Sequence, residues 1–305
     1  MKQLKQSGAE KQTSRNSGVI KTLIAFNHLV ELPTINKPIA VSALGYLFSI
    51  QVFKVSFNPL QFFWGLLSIA FVLCYLMAIN DCFDVEEDRL KSACSNKKLV
   101  VSVEISVRDA LLISVIMLLI GLAISWFVSP LSFFIALLIV IISTPYSVPP
   151  IRYKKKFPYS TIAEIAGSML PFLFGYAIVG AIDYRAVAIT PFFALTQVFW
   201  RLIHERRFHD LDIKTGKKTA AIVYGSEATK TVGRICVVLA VSEVLILFFL
   251  GWFSFEFLFF LCLFYLFGFA FWDYIRKYIP KVVYNAMGPM WGTIFVLIVA
   301  LFLIF

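Results

Sequence analysis

Long apolar segments, separated by shorter polar ones, run along the chain from residue 38 to its end. Each has about 17 to 22 residues, the length that an α-helix needs to cross a hydrocarbon core of roughly 30 Å. Open strands leave backbone groups without hydrogen-bond partners in lipid, so such segments are helices. The pattern predicts an all-α membrane protein with nine transmembrane helices, bundled around a central cavity, at 38–57, 60–80, 110–128, 130–147, 161–181, 186–203, 232–250, 254–272 and 286–305.

Composition agrees with a chain that lies mostly in a membrane. Hydrophobic residues make up 60% and charged residues 15% of the 305 positions, whereas soluble domains are nearer half apolar and a quarter charged. No separate soluble domain is therefore expected. Residues 1–35 are predicted to be a polar tail followed by a helix at the membrane interface, and residues 36–305 to be the transmembrane domain.

The basic residues predict which side of the membrane each loop faces. If the N-terminus is cytoplasmic, only Lys54 and Arg185 of the 28 Lys and Arg residues fall on the outer side. Cytoplasmic loops carry such an excess of Lys and Arg. The net charge of +10 thus reflects orientation in the bilayer and requires no nucleic-acid partner. We expect an integral, multi-pass protein, in the cell membrane if the source is bacterial.

The first cluster of acidic residues follows the second predicted span and reads NDCFDVEEDR. Asp81, Asp84 and Asp88 are spaced at i, i+3 and i+7, so on a helix their carboxylates share one face, which Asn80 can join. Like charges on one face repel, and a hard divalent cation would offset this repulsion. Mg²⁺ usually binds one or two carboxylates together with substrate phosphates. The alternative is a solvated helix end at the membrane surface. Lys97 and Lys98 follow on the same loop and suit a diphosphate, or else only set the topology.

The second cluster, HERRFHDLDIKTGKKT, follows the sixth predicted span. If that span continues as helix, Glu205, His209 and Asp212 share one face at i, i+4 and i+7, whereas Asp210 points about 100° away. Gly216 permits a turn after this helix. His209 is either a base toward a second substrate or a solvated side chain.

At these residues the sequence resembles the UbiA superfamily of intramembrane prenyltransferases. The resemblance covers about residues 35–305 and rests on three motifs. NDxxDxxxD is matched in full by the first acidic cluster, and YSVPPIRYK, from Tyr146 to Lys154, resembles the family's YSxPPxRxK loop. Asp212, Gly216 and Thr219 match the last three fixed positions of DxxxDxxxGxxT.

The resemblance implies transfer of a prenyl group from an allylic prenyl diphosphate to an aromatic or otherwise hydrophobic lipid acceptor. Metal ions and cations neutralise the charge that develops on the leaving diphosphate. The catalytic, Mg²⁺-binding residues implied are Asp81, Asp84, Asp88 and Asp212. The substrate-binding residues implied are Asn80, Lys97, Lys98, Tyr146, Arg152, Lys154, Glu205 and His209.

One departure from the family pattern affects the second motif. Its first Asp falls at residue 208, which is Phe208 in this chain. Three alternatives follow for this position. Glu205, on the same helix face, could replace the missing carboxylate, or a shifted helix could bring in Asp210 instead. In the third alternative, only one metal ion binds tightly. A further alternative is a non-catalytic or altered UbiA-like protein that acts in transport or partner binding.

Glu164 is a carboxylate inside the fifth predicted span. Intramembrane carboxylates are functional candidates by default, although Glu164 lies near the inner interface and could instead reach water or Lys156. Gln197 is a weaker candidate of the same kind.

Overall fold

The computed structural model describes residues 32–95, 106–214 and 216–252. Every regular element in these ranges is helical, as the length and apolar character of the segments predict. Two 3₁₀ turns lie at Tyr153–Lys155 and Ala177–Val179. The α-helices are α1 (Leu32–Phe53), α2 (Pro59–Ser95), α3 (Val107–Val128), α4 (Pro130–Ser147), α5 (Tyr159–Tyr176), α6 (Tyr184–Ala188), α7 (Thr190–Arg207), α8 (His209–Lys214), α9 (Ala220–Tyr224) and α10 (Ser226–Phe249).

Six stretches of the described chain are long and apolar enough to cross a membrane. They coincide with the second to seventh predicted spans. The first predicted span, 38–57, is helical as α1 but is not among the six. The predicted spans 254–272 and 286–305 lie outside the described residues, as does most of the predicted interfacial helix, so nine spans stay a prediction.

Two helix boundaries differ from the predicted ones. The second span was predicted to end at residue 80, but α2 continues to Ser95. Its 37 residues correspond to about 55 Å of helix, more than a bilayer core requires, so the first acidic motif lies on a helical extension. The sixth span is divided into α6 and α7 because Pro191 occupies the first turn of α7, where a missing N–H costs no hydrogen bond.

Helix α5 lies at the centre of the bundle and packs against α1, α4 and α7. Its contact with α1 is close because glycines from both helices meet backbone there. A Cβ on Gly175 would overlap the Ser42 carbonyl, and one on Gly45 would overlap the Phe172 carbonyl. Lipid gives little hydrophobic drive for helix association, so small residues that allow such close packing hold helices together in membranes. Tyr46 is fully buried nearby.

Candidate active site

The carboxylate of Asp84 is buried and lies toward the C-terminal end of α2. Its side chain is 9% exposed. It accepts a hydrogen bond from Arg152 Nη2 at 3.0 Å and forms an ion pair with Lys154 Nζ. Arg152 Nη2 also donates to the Phe83 carbonyl at 2.8 Å. The loop after α4 is thereby fixed on the first acidic motif, which places two predicted phosphate-binding cations beside a predicted metal ligand.

Local backbone geometry directs these cations toward α2. Arg152 adopts a left-handed conformation with φ 38°, which is uncommon for a residue with a side chain and persists only where its surroundings hold it. Its N–H donates to the Val148 carbonyl at 3.1 Å. Tyr153 starts the 3₁₀ turn that follows, and its hydroxyl donates to the Ile142 carbonyl of α4. The turn is therefore fixed to the end of a membrane helix.

The other members of the first motif lie on the same helix. Asn80 accepts a hydrogen bond from Ser147 Oγ at 2.6 Å, which ties α2 to the end of α4. Asp81 lies near enough to Lys154 for electrostatic attraction. Asp88 lies on α2, although its side chain lies outside the described residues. Lys97 and Lys98 also fall outside them.

The second motif lies on a helix that is interrupted once, at Phe208. Phe208 N–H donates to the His204 carbonyl at 3.0 Å, and Asp212 N–H donates to the Phe208 carbonyl at 2.9 Å. Gly216 has φ +67°, so the turn predicted there is confirmed. Lys217 N–H closes this turn onto the Asp212 carbonyl at 3.0 Å. Asp212 is buried, and its carboxylate lies 3.9 Å from Lys217 Nζ.

The two motifs meet at the loop after α4. Lys218 N–H donates to the Lys155 carbonyl at 3.4 Å. Burial and, next, the neighbouring Lys217 and Lys155 lower the pKa of Lys154 to about 7, against an opposing attraction from Asp81. This crowding of ammonium groups disfavours a further positive charge, so an anionic ligand placed among them would relieve it.

A second polar cluster surrounds Arg201 of α7, which sequence reasoning did not single out. Arg201 is 9% exposed. Its Nε donates to Glu205 Oε1 at 2.6 Å, its Nη1 pairs with Glu164 Oε1, and its Nη2 donates to Ser160 Oγ at 2.9 Å. The signal that could have identified it was an arginine inside a predicted span, four residues before Glu205.

This buried cluster engages two residues that were predicted to bind substrate. Tyr146 donates its hydroxyl to Glu164 Oε1 at 2.9 Å. Glu205 accepts from Arg201 through one oxygen and from Ala221 N–H, at the start of α9, through the other at 3.3 Å. Because both oxygens of Glu205 accept from protein groups, these contacts do not favour Glu205 as the replacement for the carboxylate missing at Phe208. That replacement stays a prediction.

The remaining residues around Phe208 face outward. The side chain of Asp210 is 96% exposed, and the nearest charge partner recorded for it is His209 Nδ1 at 3.3 Å. The ring of Phe208 packs against His204 with centroids 4.6 Å apart. Among the described residues, no three His, Cys, Asp or Glu side chains form a group that could hold a metal ion.

Comparison with solved structures shows the same fold in other proteins. A UbiA homologue from Archaeoglobus fulgidus bound to GPP and Mg²⁺ is similar with a TM-score of 0.72 at 21% identity, over 92% of this chain and 99% of that one. A UbiA homologue from Aeropyrum pernix K1 has a TM-score of 0.66 at 14% identity, and the match covers 90% of this chain and 98% of that one. A structure described for digeranylgeranylglyceryl phosphate synthase has a TM-score of 0.64 at 23% identity, and the match covers 92% of this chain and 97% of that one.

Comparisons of sequence identify the family. No curated protein matches the chain. The profile of the UbiA prenyltransferase family matches residues 42–293, which is most of the chain and includes all three motifs. The matched region and the shared fold lead to one conclusion: the chain belongs to the UbiA prenyltransferase family.

Proposed function

We propose that this protein transfers a prenyl group from an allylic prenyl diphosphate to an aromatic or lipid acceptor, at a site on the cytoplasmic side of the membrane. The observation that carries the proposal is the meeting of both acidic motifs at Lys154, which pairs with Asp84 and lies close to Lys217 beside Asp212. Family membership supports it. So does the relative solved with GPP and Mg²⁺, as a structure of the same fold.

The residues present fit a magnesium ion that is shared with substrate. Asp84 is a buried carboxylate, a hard oxygen donor of the kind that Mg²⁺ binds, and it is paired with Arg152 and Lys154. Asp81, Asp88 and Asp212 are the further ligands proposed, all of them hard oxygen donors. Mg²⁺ usually takes one or two carboxylates and completes its shell with phosphate and water, so a complete protein cage is not required. When bound, it would polarise the diphosphate and stabilise the charge on the leaving group.

The basic residues of the site are proposed to hold the diphosphate. Arg152 offers a planar fork of N–H donors that matches phosphate oxygens, and its side chain is 30% exposed. Lys154 and Lys217 supply point charges next to it. Lys97 and Lys98 are proposed to complete the phosphate contacts from the loop after α2. Asn80, fixed by Ser147, is proposed to set the position of the first motif.

Aromatic and apolar groups are proposed to hold the rest of the donor. The rings of Tyr146 and Tyr153 meet edge to face with centroids 5.8 Å apart, directly beside the basic loop. Aromatic faces stabilise cations within about 6 Å, so this pair is suited to the allyl cation that ionisation produces. The prenyl tail would lie between the helices, where each buried methylene contributes about 0.8 kcal/mol and water is excluded.

The departure at Phe208 is proposed to change the number of carboxylates at the site. Asp212 is then the one carboxylate that the second motif supplies, and Glu205 keeps Arg201 in place. His209, which is partly exposed, is proposed to contact substrate at the edge of the site. The N-terminus is proposed to lie in the cytoplasm, with residues 1–35 as a tail and interfacial helix before the nine-span domain at 36–305.

Consumption of an allylic diphosphate by the purified protein tests this function. In detergent, we expect wild-type protein to release diphosphate from GPP with Mg²⁺ and not with EDTA. Asp84→Asn should abolish release while the protein stays folded. Asp109→Asn is a matched control, because Asp109 is an exposed Asp at the start of α3 bonded to Ser106, and it should retain full activity.

Full activity of Asp84→Asn would overturn the assignment of the metal site. A wild-type protein that binds GPP without consuming it, with Mg²⁺ present, would overturn the catalytic proposal and favour the non-catalytic alternative of transport or partner binding.

A further inference from the structure

The two acidic motifs differ in their balance of charge. The segment from Asn80 to Arg89 contains five acidic residues and one basic residue. The segment from His204 to Thr219 contains three acidic and five basic residues, with its histidines counted as neutral. Only the first segment therefore concentrates the negative charge that favours binding of a hard divalent cation.

The three carboxylates of the second motif have different surroundings. Both oxygens of Glu205 accept from protein groups, namely Arg201 and the Ala221 N–H. The side chain of Asp210 is 96% exposed, whereas Asp212 is buried. Of the three alternatives for the missing carboxylate, these contacts favour the one in which only one metal ion binds tightly.

A lysine lies beside the buried carboxylate of the second motif. Lys217 Nζ is 3.9 Å from Asp212 Oδ1, and the Lys217 N–H donates to the Asp212 carbonyl at 3.0 Å. The lysine side chain is 27% exposed, so most of it is withdrawn from water. Because the backbone and the side chain of Lys217 both reach the same aspartate, the turn at Gly216 sets the position of the ammonium group.

The neighbouring cations make this position unfavourable for a second metal ion. Lys217 lies close enough to Lys154 to repel it, and so does Lys155. A second Mg²⁺ held by Asp212 would bring two further positive charges among these ammonium groups, with a single carboxylate to offset them. Divalent cation affinity rises with the number of charged ligands. One carboxylate beside several lysines therefore suits an ammonium group better than a metal ion.

We propose that the site works with one tightly bound Mg²⁺ and that the Lys217 ammonium supplies the positive charge that a second metal ion would bring, an inference that rests on the proposed prenyl transfer. The first motif holds the one ion, which Asp212 shares, in agreement with the ligands proposed above. Lys217 donates hydrogen bonds to the diphosphate, because an ammonium has three donors and no acceptor.

The phenylalanine at position 208 fits this arrangement. A divalent cation on two carboxylates and an ammonium on one carboxylate both carry no net charge. Phe208 in place of a carboxylate and Lys217 in place of a metal ion therefore keep the motif in balance. No additional chemical step is needed. When the C1–O bond of the donor breaks, its electron pair leaves on the diphosphate, and Lys217 stabilises that charge while it keeps its own proton.

Counting bound metal ions tests the proposal without requiring turnover. Mn²⁺ replaces Mg²⁺, and geranyl S-thiolodiphosphate, a donor analogue that resists ionisation, occupies the diphosphate site of the protein in detergent. Electron paramagnetic resonance measures free Mn²⁺, with the analogue alone as the blank. We expect one Mn²⁺ per chain for wild-type protein. Two Mn²⁺ per chain would overturn the proposal.

Paired double variants test what keeps a second ion out. Phe208→Asp with Lys217→Met restores a carboxylate and removes the ammonium, so this protein should bind two Mn²⁺ per chain. Phe208→Asn with Lys217→Met is the matched control, because it adds no charge, and it should bind one. If the aspartate variant also binds one ion, residues 208 and 217 do not face a metal position, and the proposal is wrong.

The rate of GPP consumption tests the role of the ammonium. Lys217→Met should lower kcat about 10- to 100-fold, because a hydrogen bond to the charged leaving group is lost. Lys217→Arg keeps the positive charge and should recover most of the rate. Lys230→Met is the control, since Lys230 pairs with the exposed Glu227 in the first turns of α10, and it should keep the wild-type rate.

Two kinetic results would contradict the role given to Lys217. They are a wild-type rate in Lys217→Met, and a loss of rate that Lys217→Arg does not recover and that a lower unfolding temperature accompanies. Failure of the proposed function looks different, because wild-type protein would then consume no GPP whatever number of Mn²⁺ ions it binds. A protein that consumes GPP and binds two Mn²⁺ per chain would keep the proposed function and lose only this inference.

Discussion

Lys154 and Asp84, which are 70 residues apart in the chain, form a buried ion pair. This contact joins the helix that carries the first acidic motif to the loop after α4. Because Lys217 lies near Lys154 and is paired with Asp212, the second motif belongs to the same cluster. A single lysine thus links three segments that the sequence presents separately.

Removing this lysine should weaken donor binding. Lys154→Met eliminates one cation from the diphosphate site, and a hydrogen bond to a charged group contributes about 1.5 to 3 kcal/mol. We expect kcat/KM for GPP to fall about 10- to 100-fold, with Arg152 still holding Asp84. Lys156→Met, four residues after Arg152 and not assigned to the site, is the control. Equal kinetics in the two variants would contradict the role of Lys154.

Removing Arg201 should destabilise the bundle. Arg201→Met leaves Glu205 buried at 3% exposure with its charge partner gone, and breaking a buried ion pair costs about 3 to 5 kcal/mol. We expect a large drop in the thermal unfolding temperature in detergent. Adding Glu205→Gln should recover part of it, because the stranded charge is then removed. Arg206→Met, whose recorded bond to Ser226 is exposed, should shift stability by less than about 1 kcal/mol.

Much of the fold was predictable because lipid allows few alternatives. Six predicted spans coincide with helices able to cross a membrane. The end of α2 was not predictable from apolar length, because helix continues through charged residues as far as Ser95. The separation of α6 from α7 depends on a local interruption before Pro191, which a hydrophobic pattern does not register.

The site was predictable where motifs carried it and not where tertiary contacts did. Asp84, Arg152 and Lys154, which the motifs single out, lie in contact with one another. The sequence did not show that Glu205 pairs with Arg201. A position that suits a replacement carboxylate for residue 208 also lies four residues from Arg201, the spacing of an ion pair within one helix. Likewise, nothing in the sequence places Lys37 beside Gln197, which lies 160 residues away.

The close contact of α1 with α5 should not tolerate a methyl group. In Gly175→Ala the new Cβ would overlap the Ser42 backbone carbonyl, which has no flexible side chain to move. Overpacking of this kind typically costs about 1 to 3 kcal/mol. Gly167→Ala on the same helix is the control, because nothing lies within 4 Å of its Cβ, and it should be neutral or stabilising through helix propensity. Similar unfolding temperatures for both variants would show that the two helices separate readily.

Restoring the carboxylate absent at residue 208 should strengthen metal binding. Phe208 is 36% exposed and its ring packs against His204. Phe208→Asp places a carboxylate four residues before Asp212. Divalent cation affinity rises with the number of charged ligands. We expect the Mg²⁺ concentration that gives half-maximal GPP consumption to fall about threefold or more. Phe208→Asn separates charge from side-chain size and should leave the Mg²⁺ dependence unchanged. If both variants respond alike to Mg²⁺, residue 208 does not face the metal, and the second motif contributes through Asp212 alone.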